Sequence, residues 1–170
     1  LTGEVTPSGH LTDTYVRNFF SIPSLADFGN NSRDKGNNYT LDGASTDYYF
    51  VDYQEGIYVG YKYFETRGYT EKEKGNSSWY KDNVVYPFGY GMSYAKFNYS
   101  LKSAELDGKT FTSEVTEADL DKTITLNVEV TNVSTTYSGK EVVQLYGTAP
   151  YINGQIEKRQ VKLLDIAKTK

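Results

Sequence analysis

Cysteine is absent from this chain of 170 residues, and histidine and tryptophan occur once each. Without cysteine there are no disulfides, no thiolate metal ligands and no cysteine nucleophile. A lone His10, with no paired carboxylates at ligand spacing, argues against a metal site. It argues equally against a serine triad, since no serine stands in a nucleophile-elbow context. No apolar run approaches the ~18 residues that a membrane helix needs. No basic-then-apolar leader opens the chain. A strong balance of either charge is also lacking. Eighteen Lys and Arg face twenty-two Asp and Glu, for a net charge of −4 spread along the chain. Phosphate binding requires a basic face, so nucleic acid is not expected as a partner, and neither is a membrane.

What is present fits a globular chain. Hydrophobic content is 38% and charged content 24%, values typical of folded domains rather than disordered ones. Seventeen tyrosines and eight phenylalanines bring the aromatic share to 15%. Tyrosine joins a large apolar face to a polar tip, which suits half-buried surfaces and domain seams. The missing cysteines lean towards a reducing compartment. Five Asn-x-Ser/Thr sequons, at Asn30, Asn38, Asn76, Asn98 and Asn132, lean towards a secreted parent, against loop composition as the plainer source. Localisation, cytoplasmic or secreted, stays open at this level.

The chain changes texture near Lys96. Residues 1–28 show no strong period and are expected as extended chain with short turns, one marked by Pro7 and Gly9. Residues 29–46 are rich in Gly, Asn, Asp and Ser and read as a loop. Residues 47–54, DYYFVDYQ, favour a strand. Ile57, Tyr61 and Phe64 fall on one helical face, so 55–65 is expected as a short helix with Gly68 just past its end. Residues 66–83 read as a second loop. Its EKEK run alternates sign and belongs on a solvated surface. Val84–Phe88 is a short apolar strand.

Beyond Lys96 the signals are β only. In 123–132, TITLNVEVTN, Ile124, Leu126, Val128 and Val130 alternate with Thr125, Asn127, Glu129 and Thr131. That pattern predicts a strand with its apolar side buried. EVVQLYGTAP and RQVKLLDIAK supply further strands. Short alternating strands at such spacing predict an antiparallel β-sandwich. An immunoglobulin-like sandwich takes ~100 residues and about seven strands. Residues 96–170 supply about four, so the sandwich is expected to be incomplete. A half sandwich leaves an open apolar face and an unpaired edge.

Several ordered segments carry a family resemblance. TPSGHLTDT at 6–14, EGIYVGYKYFE at 55–65, PFGYGMSYAKF at 87–97 and VEVTNVSTTYSGKEVVQLYGTAP at 128–150 resemble the C-terminal part of β-glucosidase-type enzymes of glycoside hydrolase family 3. IEKRQVKLLDIAKTK resembles the strand that follows in those enzymes. The chain departs from the family pattern at Thr6, His10, Thr12, Lys62, Glu65, Met92, Asp165 and Ile166. The resemblance implies that residues 1–95 come from the end of an α/β-sandwich domain. It implies that 96–170 are the first part of a fibronectin-III-like domain. It also implies a parent that is a retaining, exo-acting glycosidase, hydrolysing terminal β-linked sugars in carbohydrate metabolism. Such enzymes use a nucleophile and an acid/base carboxyl ~5 Å apart. The family's nucleophile lies in a Ser-Asp-Trp motif of a barrel domain. The sole tryptophan here, Trp79, stands in SSWYK, and the family's Lys-His-Phe sugar motif is absent. Its acid/base glutamate lies upstream of the Pro-Ser-Gly turn. The resemblance therefore carries over no catalytic residue, no cofactor-binding residue and no metal ligand.

The tempting residues have plainer uses. Asp52 and Glu55 resemble an acid/base pair, but Glu55 is better placed to start a helix or a turn. Glu65 and Arg67 read as seam or surface contacts. Tyr48, Tyr49, Phe50, Tyr53, Tyr58, Tyr61, Tyr63 and Phe64 offer ring faces on which a sugar could stack, although packing in a core or seam is the commoner use. Gly89 and Gly91 lack the third glycine and following helix of a nucleotide loop, and are expected to let the backbone turn or approach a neighbour.

The fold expected is mainly β: an incomplete fibronectin-III/immunoglobulin-like antiparallel sandwich preceded by an irregular tail of an α/β-sandwich domain. The function expected is a structural segment of a glycoside hydrolase, inactive alone. Its partner is the remainder of the parent enzyme, or a second chain that completes the sandwich; carbohydrate is the parent's substrate. The alternative is a free-standing, non-catalytic β-sandwich module that binds carbohydrate or protein.

Overall fold

The structure, a computed structural model, describes residues 3–26, 38–41, 44–49, 53, 55–111, 115–119, 121–149 and 156–170. Its elements in chain order are β1 (Tyr15–Val16), α1 (Pro23–Ala26), β2 (Asn38–Leu41), β3 (Ala44–Tyr49), α2 (Tyr61–Glu73), α3 (Trp79–Asn83), β4 (Val84–Tyr86), β5 (Phe97–Leu106), β6 (Lys109–Thr110), β7 (Ile124–Asn132), β8 (Val142–Gly147) and β9 (Lys162–Lys168). The chain is mainly β, and the registered strand pairs β1–β4, β2–β3, β5–β6 and β5–β7 are all antiparallel. Two compact units divide it. One holds Leu1–Gly9, Met92–Val143 and Ala167–Lys170; the other holds His10–Gly91 and Gln144–Ile166.

The first unit is built on a sheet in the order β6-β5-β7. A two-residue turn, Asp107–Gly108, joins β5 to β6, with φ of 48° and 76°. Asp-Gly accepts those positive angles at low cost, which suits a tight hairpin. The Asp107 carboxylate also accepts a hydrogen bond from the Thr123 amide at 3.0 Å, tying the turn to the start of β7.

One irregularity sets the faces of this sheet. Leu101 pairs with Val128, but Ser103 pairs with Asn127, so Lys102 is an extra residue in β5. Such a bulge shifts the side-chain alternation by one. Phe97, Tyr99 and Leu101 before it therefore share a face with Ala104 and Leu106 after it. Their cross-strand partners include Val130, Val128, Leu126 and Ile124. The opposite face is polar. Lys102 pairs with Glu129 at 2.7 Å, and the Asn127 amide donates to the Ser103 hydroxyl at 2.7 Å.

The strand at 123–132 has the expected register, but its apolar side is not buried. Ile124 is 44% exposed, Val128 39%, Tyr99 53% and Leu101 60%, while Leu126 and Val130 are partly covered. A sheet face becomes a core only under an opposing layer. Among the described residues no such layer closes over this one.

The second unit pairs β1 with β4 and β2 with β3. Its helix differs from the expected one. It begins after Gly60 and runs to Glu73, through much of the stretch read as loop. Gly68 is inside the helix. A Cβ there would lie 2.7 Å from a ring carbon of Tyr80, so the glycine admits α3 rather than ending α2. The charged residues suit the helix: Arg67 and Glu71 pair at 2.9 Å across one turn, and Lys and Glu are good helix formers. The loop expected at 29–46 contains β2 and the start of β3, whose hairpin pairing overrides a turn-rich composition. Of the strand expected at 47–54, residues 47–49 belong to β3, and residues 50–52 and 54 lie outside the described set. Phe64, Val84 and Ala95 are the buried apolar side chains among the described residues.

Candidate functional site

The second unit contains a cavity of about 300 Å³ lined by Tyr61, Glu65, Phe88, Gln144, Tyr146 and Val161. Tyr61 and Glu65 lie one turn apart on α2, so both face the same way. Phe88 follows β4 in a turn closed by a hydrogen bond from the Tyr90 amide to the Pro87 carbonyl. Gly89 makes that turn possible. It has φ of 79°, and a Cβ on it would collide with the Gln144 side chain. This glycine serves a positive φ and a close approach, not a phosphate loop.

The ring faces meet at defined angles. Tyr61 and Phe88 lie 4.5 Å apart at 32°, and Tyr61 meets Tyr146 edge-on at 6.2 Å. The Tyr61 hydroxyl accepts a hydrogen bond from the Leu163 amide at 2.9 Å, and the Thr66 hydroxyl accepts one from the Gln160 amide at 2.9 Å. These two bonds fasten the start of β9 and the residues just before it to α2.

The polar groups converge on Glu65. The Tyr80 hydroxyl donates to its Oε1 at 2.5 Å. Burial holds the Glu65 carboxyl above its ordinary value, and the Tyr80 bond only partly offsets this. Burial and the Glu65 carboxylate also push the Tyr80 phenol up. Tyr146 is raised as well, by burial and by the nearby Tyr61 and Glu65 oxygens. Its hydroxyl donates to Gln144 Oε1 at 2.9 Å. A carboxyl raised by burial in an aromatic cavity is a usual mark of a functional site.

Of the aromatics singled out from sequence, Tyr53, Tyr61 and Phe64 stand in different surroundings. Tyr61 lines the cavity. Phe64 is buried on the same helix with its ring edge-on to Tyr63 at 5.1 Å. Tyr53 is 83% exposed. Tyr48 and Tyr49 lie in β3, with side chains outside the described set; Phe50 and Asp52 lie outside it altogether. The pairing of Asp52 with Glu55 therefore falls outside the described residues. Arg67 bonds to Glu71, as a surface pair. Sequence reasoning missed Phe88, Gln144 and Tyr146 as neighbours of Tyr61. Their segments come together only through the tertiary fold.

No protein-family model matches the chain. Individual proteins do. β-Glucosidase A of Butyrivibrio fibrisolvens is 37% identical over 172 residues, covering 100% of this chain and 17% of the relative. Thermostable β-glucosidase B of Acetivibrio thermocellus is 33% identical over 147 residues, covering 86% of this chain and 14% of the relative. The chain is a C-terminal stretch of a family 3, β-glucosidase-like glycoside hydrolase. Solved structures of that family agree. A β-glucosidase from Paenibacillus barengoltzii superposes with a TM-score of 0.69 at 36% identity, over 100% of this chain and 14% of that one. β-Glucosidase 3B of Thermotoga neapolitana, in complex with α-D-glucose, gives 0.64 at 31%, over 100% of this chain and 18% of that one. The chain thus spans less than a fifth of the length of the relatives it matches.

Proposed function

We propose that this chain is a structural, non-catalytic segment of a retaining, exo-acting β-glucosidase-like enzyme that removes terminal β-linked sugars. The observation that carries this reading is the full-length likeness of the chain to a small share of β-glucosidases: 100% of the chain against 17% of the Butyrivibrio fibrisolvens protein. A retaining mechanism needs two carboxyl groups ~5 Å apart. Of the six residues lining the cavity, Glu65 alone is a carboxylate, which supports placing both catalytic groups in other parts of the parent. In this reading residues 1–95 end the α/β-sandwich domain and 96–170 begin the fibronectin-III-like domain. No residue of the chain is a catalytic, cofactor or metal group.

The partner is the remainder of the parent enzyme, or a second chain that completes the sandwich. The apolar face of β5 and β7 supports this. Leu101, Tyr99, Ile124 and Val128 are each more than a third exposed on it, and a contiguous apolar face of this kind marks a surface made to be covered. The same feature counts against a free-standing β-sandwich module. The role can be tested by exchange. Deleting the matched stretch of the Butyrivibrio fibrisolvens enzyme should abolish its aryl β-glucosidase activity, and this chain in its place should restore it. Full turnover by the deletion variant would sink the structural role.

A further inference from the structure

We propose that the cavity between α2, the Phe88 turn and β8 binds a protonated primary amine carried on a small apolar body. The proposal is independent of the parent's hydrolytic activity.

Three features select that chemistry. The first is charge. Glu65 is partly buried in the cavity wall, and its described hydrogen-bond partner is the neutral Tyr80 hydroxyl. No described cation forms a salt bridge with it: Arg67 is bonded to Glu71. A carboxylate withdrawn from water and left without a counter-ion favours a cationic guest.

The second feature is the direction of the hydroxyl hydrogens. Tyr80 spends its hydrogen on Glu65, and Tyr146 spends its own on Gln144. In the lining this leaves the Glu65 oxygens and the Tyr146 hydroxyl as acceptors, beside two donors, the Tyr61 hydroxyl and the Gln144 amide. Burial first, and then the Glu65 carboxylate, raise the proton affinity of both Tyr80 and Tyr146. The Glu65 carboxylate is complemented by a group that only donates, and an ammonium has three donors and no acceptor. An anion would meet repulsion there. A hard metal ion would find too few ligands, since it takes six or more oxygens and no group of three His, Cys, Asp or Glu occurs among the described residues.

The third feature is the aromatic wall. Tyr61, Phe88 and Tyr146 present π-systems beside the carboxylate, and cations are drawn to such faces. The Tyr61 ring already attracts one: the Lys62 ammonium stands 5.9 Å from its centroid, while Lys62 is not a lining residue. Val161 and Phe88 cover the apolar body of the guest. A volume of about 300 Å³ admits a ligand of a few carbons.

The test compares n-butylammonium with 1-butanol, which has a similar shape and no charge, by NMR titration of the full 170-residue chain at neutral pH. The ammonium should shift the ring signals of Tyr61, Phe88 and Tyr146 saturably. The alcohol should bind about tenfold more weakly or worse, and Glu65→Gln should weaken the ammonium to a similar degree, as expected for one charge-assisted bond. Circular dichroism checks that the variant folds. Should Glu65→Gln unfold the chain, Tyr80→Phe serves instead: it frees Oε1 and should leave ammonium binding as tight or tighter. Equal binding of the alcohol, unchanged affinity in Glu65→Gln, loss of affinity in a folded Tyr80→Phe, or no shift at the three rings would each overturn the proposal.

Discussion

Replacing Gly68 with alanine sets two effects of opposite sign against each other, and the structure decides between them. In an exposed helix interior, Gly→Ala gains about 1 kcal/mol. Gly68 is inside α2, so propensity alone predicts stabilisation. The new Cβ, however, would stand 2.7 Å from Tyr80 Cδ2 and 3.3 Å from Tyr80 Cβ. The ring cannot swing away freely, because its hydroxyl is bonded to Glu65 at 2.5 Å. Overpacking costs about 1–3 kcal/mol, and losing a hydrogen bond to a charged group costs about 1.5–3 kcal/mol more. The net expectation is a loss of about 1–3 kcal/mol if the bond is partly kept. Urea unfolding followed by helical ellipticity reads this directly. A double-mutant cycle isolates the cause. In a Tyr80→Ala background the obstruction is gone, and Gly68→Ala should then stabilise by about 0.5–1 kcal/mol. A stabilising Gly68→Ala in the otherwise unchanged chain would refute the close packing of α3 on α2.

Three further outcomes are expected. Burial raises the Glu65 carboxyl, the Tyr80 bond offsetting it in part, so the native state keeps that proton longer than the unfolded chain as pH rises. Stability should therefore fall between the ordinary carboxylate value and the raised one, and level off above it; Glu65→Gln should remove that slope, and an unchanged slope would contradict the burial. Deleting Lys102 removes the extra residue and leaves Leu101, Ser103 and Ala104 in plain alternation, so Phe97, Tyr99 and Leu101 should stay on the apolar face and far-UV circular dichroism should keep the sheet signal; loss of the sheet in the deletion variant would show that Lys102 is not the extra residue. Burial, then the hydrogen bond and charge of Glu141, pushes the Tyr99 phenol up to about 12, and in an ultraviolet titration Glu141→Gln should bring it part of the way down, burial remaining. No movement would leave burial as the sole cause.

The parts of this fold that sequence made legible are those with a clean local period. β7 follows directly from Ile124, Leu126, Val128 and Val130. β5 does not, because FNYSLKSAEL changes phase at Lys102 and no single alternation runs through it. The Asp107–Gly108 hairpin had a readable signal, an Asp-Gly pair between apolar-alternating residues, that the strand pattern alone overlooked. α2 starts and ends later than Ile57, Tyr61 and Phe64 indicate, because Gly68 reads as a terminus whereas Tyr80 requires a glycine there. Periodicity overstates the burial of β7, because it reports which side faces inwards, not whether a second layer covers it. The cavity was the least legible feature. Tyr61 and Glu65 stood in a recognisable motif, but Phe88, Gln144 and Tyr146 reach them through tertiary packing. Glu65 reads as a seam contact from sequence, and only its place in the cavity wall and its bond to Tyr80 set it apart.

The most direct test of the non-catalytic assignment is aryl β-glucoside hydrolysis by the purified 170-residue chain. No turnover above buffer is expected, and no change when Glu55 or Glu65 is converted to the amide. Steady turnover by the pure chain, lost on converting either glutamate to glutamine, would contradict it and place a catalytic carboxyl within this segment.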